Sequence, residues 1–242
     1  MLQQGRRRDS GRYGRGDGAP DRLSRKRRQQ LHDRRHGAGG DWRLGLERTA
    51  AKLNAADHLT EKPALRGSVV AVALDAKHRF SKTPGLSIIL TAGYGVEGDA
   101  HYGQFVRHRY LAHRKPRSPN LRQVHLIPSE LFDALRNSGF DVSPGDLGEN
   151  ITTAGLDLET LPLNTQLRIG TSANVRLTGL RTPCVLIDRF KSRLRGRLFD
   201  ATPNPPFRAG VMAVVAEGGE ISPDDPIRAI LPERPHLPLP PL

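Results

Sequence analysis

The sequence predicts a mainly β domain, an antiparallel barrel or sandwich with a few short helices, preceded by a disordered Arg-rich tail. Three observations predict it. Short apolar runs recur between Gly and Pro punctuation from residue 63 onward. Few segments carry a helical pattern. Residues 1–62 have too little apolar content to offset the entropy of ordering them.

The strands follow in order. Residues 68–74 (SVVAVAL) and 86–90 (LSIIL) read as buried strands. Residues 122–127 (RQVHLI) alternate polar and apolar, as a half-buried strand does. Residues 166–169 and 174–177 alternate in the same sense, and Gly170–Ala173 between them suits a hairpin. Residues 211–215 form a late strand closed by Gly218-Gly219, and 227–231 the last. One helix is signalled by Ser129 as its cap, by Leu131, Phe132 and Leu135 on one face, and by Gly139 as a left-handed stop. A second is expected within 188–199. The Pro-rich segment 235–241 is expected to be extended, because Pro supplies no backbone donor. The layout is a tail over 1–62, one domain over 63–235 and a Pro-rich C-terminal tail over 236–242.

Charge is unevenly spread. The chain has 38 Lys and Arg against 25 Asp and Glu, and residues 1–62 alone hold 16 against 8. Clusters such as Gly5-Arg6-Arg7-Arg8 and Arg25-Lys26-Arg27-Arg28 can hold phosphates without sequence preference, so nucleic acid is a candidate partner of the tail. Its eight acids argue against a transit peptide. No run of 18 apolar residues marks a membrane-spanning helix, and no apolar stretch after the N-terminal charges marks a signal peptide. One cysteine and no such signal lead to a cytoplasmic expectation. Arg107, Arg109, Arg114, Lys115 and Arg117 crowd a turn-rich stretch that suits either a solvated loop or one over an anionic ligand.

The chemistry centres on Cys184, the only cysteine, which cannot form an internal disulfide. It follows a strand-like run, with Arg181 close by. A nearby cation favours a thiolate, the form that attacks electrophiles and binds soft metals. An inert cysteine packed as a small hydrophobe is the alternative, and residue type alone leaves both open. No strand–GxxxxGK[ST]–helix arrangement and no G-x-S-x-G element is present, which argues against nucleotide hydrolysis and serine hydrolysis. His108 and His113, five apart in a loop, are poorly spaced for zinc.

Four segments carry a resemblance. They are Gly98-Asp99-Ala100-His101-Tyr102-Gly103 within a Gly-rich stretch, Arg122-Gln123-Val124-His125-Leu126-Ile127, Gly148-Glu149-Asn150-Ile151-Thr152-Thr153-Ala154-Gly155 and Arg181-Thr182-Pro183-Cys184. In this order they resemble the MOSC domain, named after the C-terminal part of molybdenum cofactor sulfurase, and most of all its small bacterial stand-alone members. The resemblance covers residues 67–235 and implies a MOSC-type β-barrel. It implies a molybdenum cofactor, a pyranopterin dithiolene bearing a phosphate, with Cys184 as molybdenum ligand or sulfur carrier. Asn150, Thr182, Arg181, Lys82, Arg122 and Ser129 are then candidate cofactor contacts, and His101 with Asp99 a candidate proton-handling pair. Strand alternation would put Arg181 and Cys184 on different sides unless the strand has ended by then.

The implied activity is reduction of a small N-hydroxylated substrate, of the hydroxylaminopurine or amidoxime type. No flavin or iron–sulfur segment is visible and one cysteine cannot ligate a cluster, so an external flavin or iron–sulfur reductase is the implied electron partner. Two alternatives stay open. Cys184 can carry sulfur as a persulfide, supplied by a partner because no pyridoxal-phosphate domain is attached. The chain can also be a nucleic-acid-binding barrel that uses its Arg-rich tail. Asp224, in Ser222-Pro223-Asp224-Asp225-Pro226, departs from the family pattern, where many relatives carry Gly in a Gly-Asp turn.

Overall fold

The computed structural model describes residues 65–106, 117–199 and 205–242. The Arg-rich tail and the basic stretch 107–116 lie outside the described residues. Seven strands close a barrel. In ring order they are β1 (Leu65–Leu74), β11 (Pro226–Ile230), β7 (Gln166–Ile169), β8 (Ala173–Leu180), β9 (Val211–Glu217), β5 (Val124–Pro128) and β6 (Ile151–Ala154), which returns to β1. β2 (Thr83–Gly85) pairs with the end of β1. β10 (Gly219–Ile221), β3 (Ile88–Thr91) and β4 (Gly95–Val96) make a separate small sheet. The ring is antiparallel except for β5 and β6, which run parallel. The chain between those two includes helix α1 (Ser129–Asn137), a crossover long enough to bring it back in the same direction. Two short helices, α2 (Leu186–Phe190) and α3 (Leu194–Arg197), follow β8. No helix among the described residues is long and apolar enough to cross a membrane.

Two apolar clusters hold the fold. Val72, Leu126, Ile151, Leu167, Val175 and Val211 belong to the larger, built mainly from barrel strands. In the second, Leu131, Phe132 and Leu135 of α1 meet Ile127 of β5 and Ile187 and Leu194 of the two short helices. β5 thus faces apolar neighbours on both sides: Val124 and Leu126 join the barrel cluster, Ile127 the helical one. All five of its residues are buried, which corrects the expected half-buried alternation. β8 is likewise buried except at Arg176. The C-terminal segment runs alongside it: Leu180 N–H donates to Pro240 O (2.8 Å), Leu242 N–H donates to Leu180 O (2.9 Å), and Leu239 joins the barrel core. Within the Pro-rich segment 235–241, Pro241 forms a parallel bridge to Leu180.

Helix α1 corrects one further detail. Pro128 occupies the cap position and Ser129 is the first helical residue, with no side-chain cap bond. Gly139 stops the helix as expected, at φ +84. The Phe140 and Gly139 amides donate back to Leu135 O and Arg136 O, both at 2.9 Å, which satisfies two carbonyls at the helix end. The helix expected within 188–199 is broken in two, with Arg193 at φ +65 between the pieces. Asp224 adopts φ +70, so it takes the left-handed turn geometry that a glycine there would take.

Candidate functional site

The Cys184 segment begins where β8 ends, at Leu180. Each residue of the loop is tied down. Arg181 N–H donates to Gly210 O (2.9 Å) and Thr182 N–H to Leu242 O (3.3 Å). Pro183 O accepts from Arg195 Nε (3.1 Å). Cys184 O accepts from Ile187 N–H (3.2 Å) at the entry to α2. Freed from strand alternation, Arg181 and Cys184 come together: the guanidinium Nη2 lies 4.0 Å from Sγ.

A cavity of about 150 Å³ opens beside that pair. It brings together Lys82, His101, Arg122, Asn150, Arg181, Thr182 and Cys184 from sequence-distant segments. Cys184 is half-buried and therefore reachable. Ser129 is not part of the lining; it sits at the start of α1, where its hydroxyl meets only Glu130, at 3.5 Å. A second hollow of about 460 Å³ shares Arg79, Phe80, Lys82 and Leu186 with the first and adds Arg189 and Phe190.

Asp99 organises the wall from behind. Its carboxylate accepts from Lys82 Nζ (2.5 Å), His101 N–H (2.9 Å) and Asn150 Nδ2 (3.1 Å), and meets His101 Nδ1 at 3.2 Å. Burial pushes this carboxyl up, but the hydrogen bond from His101 and the charge of Lys82 outweigh it and hold it well below the usual carboxylate range. Burial pulls the Lys82 ammonium down, opposed by Asp99. Asn150 spends its second amide hydrogen on Ala73 O (3.1 Å), and its oxygen accepts from His125 N–H (3.2 Å). It therefore couples the Asp99 cluster to β1 and β5.

Sequence reasoning missed several contributors, among them the apolar Leu147, Leu186 and Met212. Arg79 and Phe80 line the cavity, Arg79 paired with Asp75 at 2.5 Å. Buried His125 lines it too, its Nε2 at 2.9 Å from Ala209 O. Burial, then the charge of Arg181, drive the His125 pKa down to about 3, so the ring is neutral. Glu149, also buried, accepts from Gly145 N–H and Thr152 Oγ1, and burial pushes its carboxyl up. Polar residues inside apolar strands were the available signal for His125. The Gly145 and Gly148 turns let the chain pass close to the 80–82 segment, where an added Cβ would meet Lys82 O at 2.6 Å and Phe80 O at 2.5 Å.

The lining is strongly cationic. Among the described residues, Arg79, Lys82, Arg122 and Arg181 line it and no carboxylate does. Arg79 and Lys82 have acidic partners behind them, whereas Arg122 and Arg181 form no salt bridge among the described residues and repel one another. Two guanidinium groups facing one space, with no carboxylate among the described residues lining it, make an anion site.

Residues 98–228 match the family model of the MOSC domain. The chain belongs to the MOSC domain family. That family is generally associated with the molybdenum cofactor. Solved structures share the fold of this MOSC protein. The YUAD protein from Bacillus subtilis is 17% identical with a TM-score of 0.58, covering 70% of this chain and 98% of that one. YiiM from Geobacillus stearothermophilus is 19% identical with a TM-score of 0.52, covering 71% and 79%. No curated protein matches the chain.

The residues of this MOSC domain fit the family's cofactor. Among the described residues no group of three or more His, Cys, Asp and Glu side chains is placed to hold a metal ion. The site offers soft sulfur from Cys184 and Met212, and Cys184 Sγ is the one that can ligate as a thiolate, which suits a metal that brings its own sulfur ligands. The guanidinium groups of Arg122 and Arg181 suit a phosphate-bearing one.

Proposed function

We propose that this protein is a molybdenum-cofactor-dependent reductase of small N-hydroxylated compounds, fed by an external flavin or iron–sulfur electron donor. The observation that carries the reading is the pairing of a reachable Cys184 with Arg181 on the wall of a cationic cavity free of carboxylates. When bound, the cofactor would supply the two-electron exchange at molybdenum. The net reaction is R–NH–OH plus two electrons and two protons, giving R–NH₂ and water.

The chain's own residues have separable roles. Cys184 Sγ would hold the metal, with the Arg181 guanidinium beside the sulfur. Arg122, with Arg181 on the same wall, would bind the anionic end of the cofactor. His101 lines the cavity and rests on Asp99, so it is placed to hold a proton for the departing oxygen. Asn150 and Thr182 shape the wall, Asn150 as the tie between Asp99 and β5. Leu186 and Phe80 keep part of the cavity apolar, which limits water at the reacting bond.

The test is turnover of a hydroxylaminopurine by protein purified from a host that makes the cofactor, with reduced methyl viologen as donor. The expected products are the aminopurine and water, with two viologen electrons consumed per amine. Absence of turnover by molybdenum-loaded protein would remove the reductase reading. Cyanide-labile sulfur on Cys184 in molybdenum-free protein would move the assignment to sulfur carriage.

A further inference from the structure

A second charged feature lies away from the cavity, on the barrel wall. Strand register places Arg66 of β1 opposite Arg228 of β11, and Arg228 opposite Arg168 of β7. Directly paired residues on neighbouring strands share a face, so three exposed arginines form one row across three adjacent strands. With strands about 4.8 Å apart, the row spans roughly 10 Å. Like charges directly opposite destabilise a sheet, and here the repulsion occurs twice in succession. A hollow of about 540 Å³ runs along the row and adds the hydroxyl-bearing Thr171 and Ser172, with Glu217 as its one carboxylate. Among the described residues no aromatic ring lines it.

The chemistry of the row selects its occupant. Arginine forks match phosphate oxygens, and hydroxyl groups are common phosphate donors. The hollow is open, so it suits a surface laid along it better than an enclosed small molecule. Without an aromatic platform it cannot stack unpaired bases, which single-stranded sites use. We propose that the Arg66–Arg228–Arg168 row binds the phosphate backbone of double-stranded nucleic acid without sequence preference.

The experiment uses the full chain and a labelled 20-base-pair DNA duplex, with binding read by fluorescence anisotropy across a salt series. Substituting all three residues (R66Q, R168Q, R228Q) is expected to weaken binding about ten-fold or more. The log–log salt slope should fall by about 2.7, since each phosphate contact contributes about 0.9. Shuffling the duplex sequence should change nothing. Circular dichroism and a thermal melt of the triple variant, expected to show a folded β protein with a cooperative transition, separate lost binding from lost folding. A tail variant with the same charge loss (R25Q, R27Q, R28Q) should bind at least about threefold more tightly than the row variant. Wild-type affinity in the row variant would overturn the proposal. So would equal losses in the two variants, which would mean that only net charge counts. Competition by millimolar inorganic phosphate, or tighter binding to phosphatidylserine vesicles than to duplex, would also overturn it.

Discussion

Arg181 holds its guanidinium 4.0 Å from the sulfur of Cys184, and its own backbone N–H is pinned to Gly210 O at 2.9 Å. The guanidinium donates to the sulfur and covers one side of it. Arg181→Gln removes that contact and is expected to change the rate of Cys184 alkylation by iodoacetamide at neutral pH. The rate is read by mass spectrometry of the intact chain. An unchanged rate would separate the two residues functionally.

Asp99 neutralises buried Lys82, and both side chains are almost inaccessible, at 1% and 6%. Removing one partner of such a pair leaves a buried charge without compensation. Asp99→Ala should cost about 3–5 kcal/mol in urea denaturation. The double substitution of Asp99 and Lys82 by Leu and Met should recover much of that loss, since it removes both charges.

Stability should be acid-sensitive in a definite window. The His125 pKa falls from 6.5 to about 3 on folding, through burial first and Arg181 second. Between those values the unfolded chain binds a proton at this site that the folded chain does not. Folding stability should then drop as pH falls through the window, by up to about 1.4 kcal/mol per pH unit. Asp99 adds a loss at lower pH, below its ordinary value of 3.8, because its folded carboxyl is held lower still. His125→Gln should flatten the profile between pH 4 and 6 while leaving the more acidic loss in place.

Gly210 sits at a junction. Its N–H donates to Glu159 Oε1 (3.1 Å) and its carbonyl receives Arg181. At φ +84 an added Cβ would stand 2.2 Å from Leu126 O and 3.0 Å from His125 Nε2. Gly210→Ala should cost at least about 3 kcal/mol, from backbone strain plus the clash. Gly139→Ala shares the same φ but meets nothing within 4 Å, so it should cost only about 1 kcal/mol. Thermal melts of the two variants separate clash from strain.

The strands, the α1 face and the residues of the cavity were largely legible, because apolar alternation and the four short motifs are local signals. What was not legible depended on neighbours distant in sequence. The burial of β5 and β8 comes from layers on both faces, which alternation within one strand cannot reveal. Arg181 and Cys184 meet only because the strand stops at Leu180, a boundary set by the turn toward Gly210 and Leu242. Ser129 looks like a cap in isolation, but Pro128 already holds that place. His125 reads as a strand residue until Ala209 and Arg181 are brought beside it. The Arg66–Arg228–Arg168 row exists only in the register between strands up to 162 residues apart.

The most direct measurement is molybdenum and pterin content in wild type and Cys184→Ser, both purified from a cofactor-producing host. Coordination through the sulfur of Cys184 predicts molybdenum with pterin in the wild type and a marked loss of molybdenum in the variant. Equal molybdenum in the two proteins would contradict it.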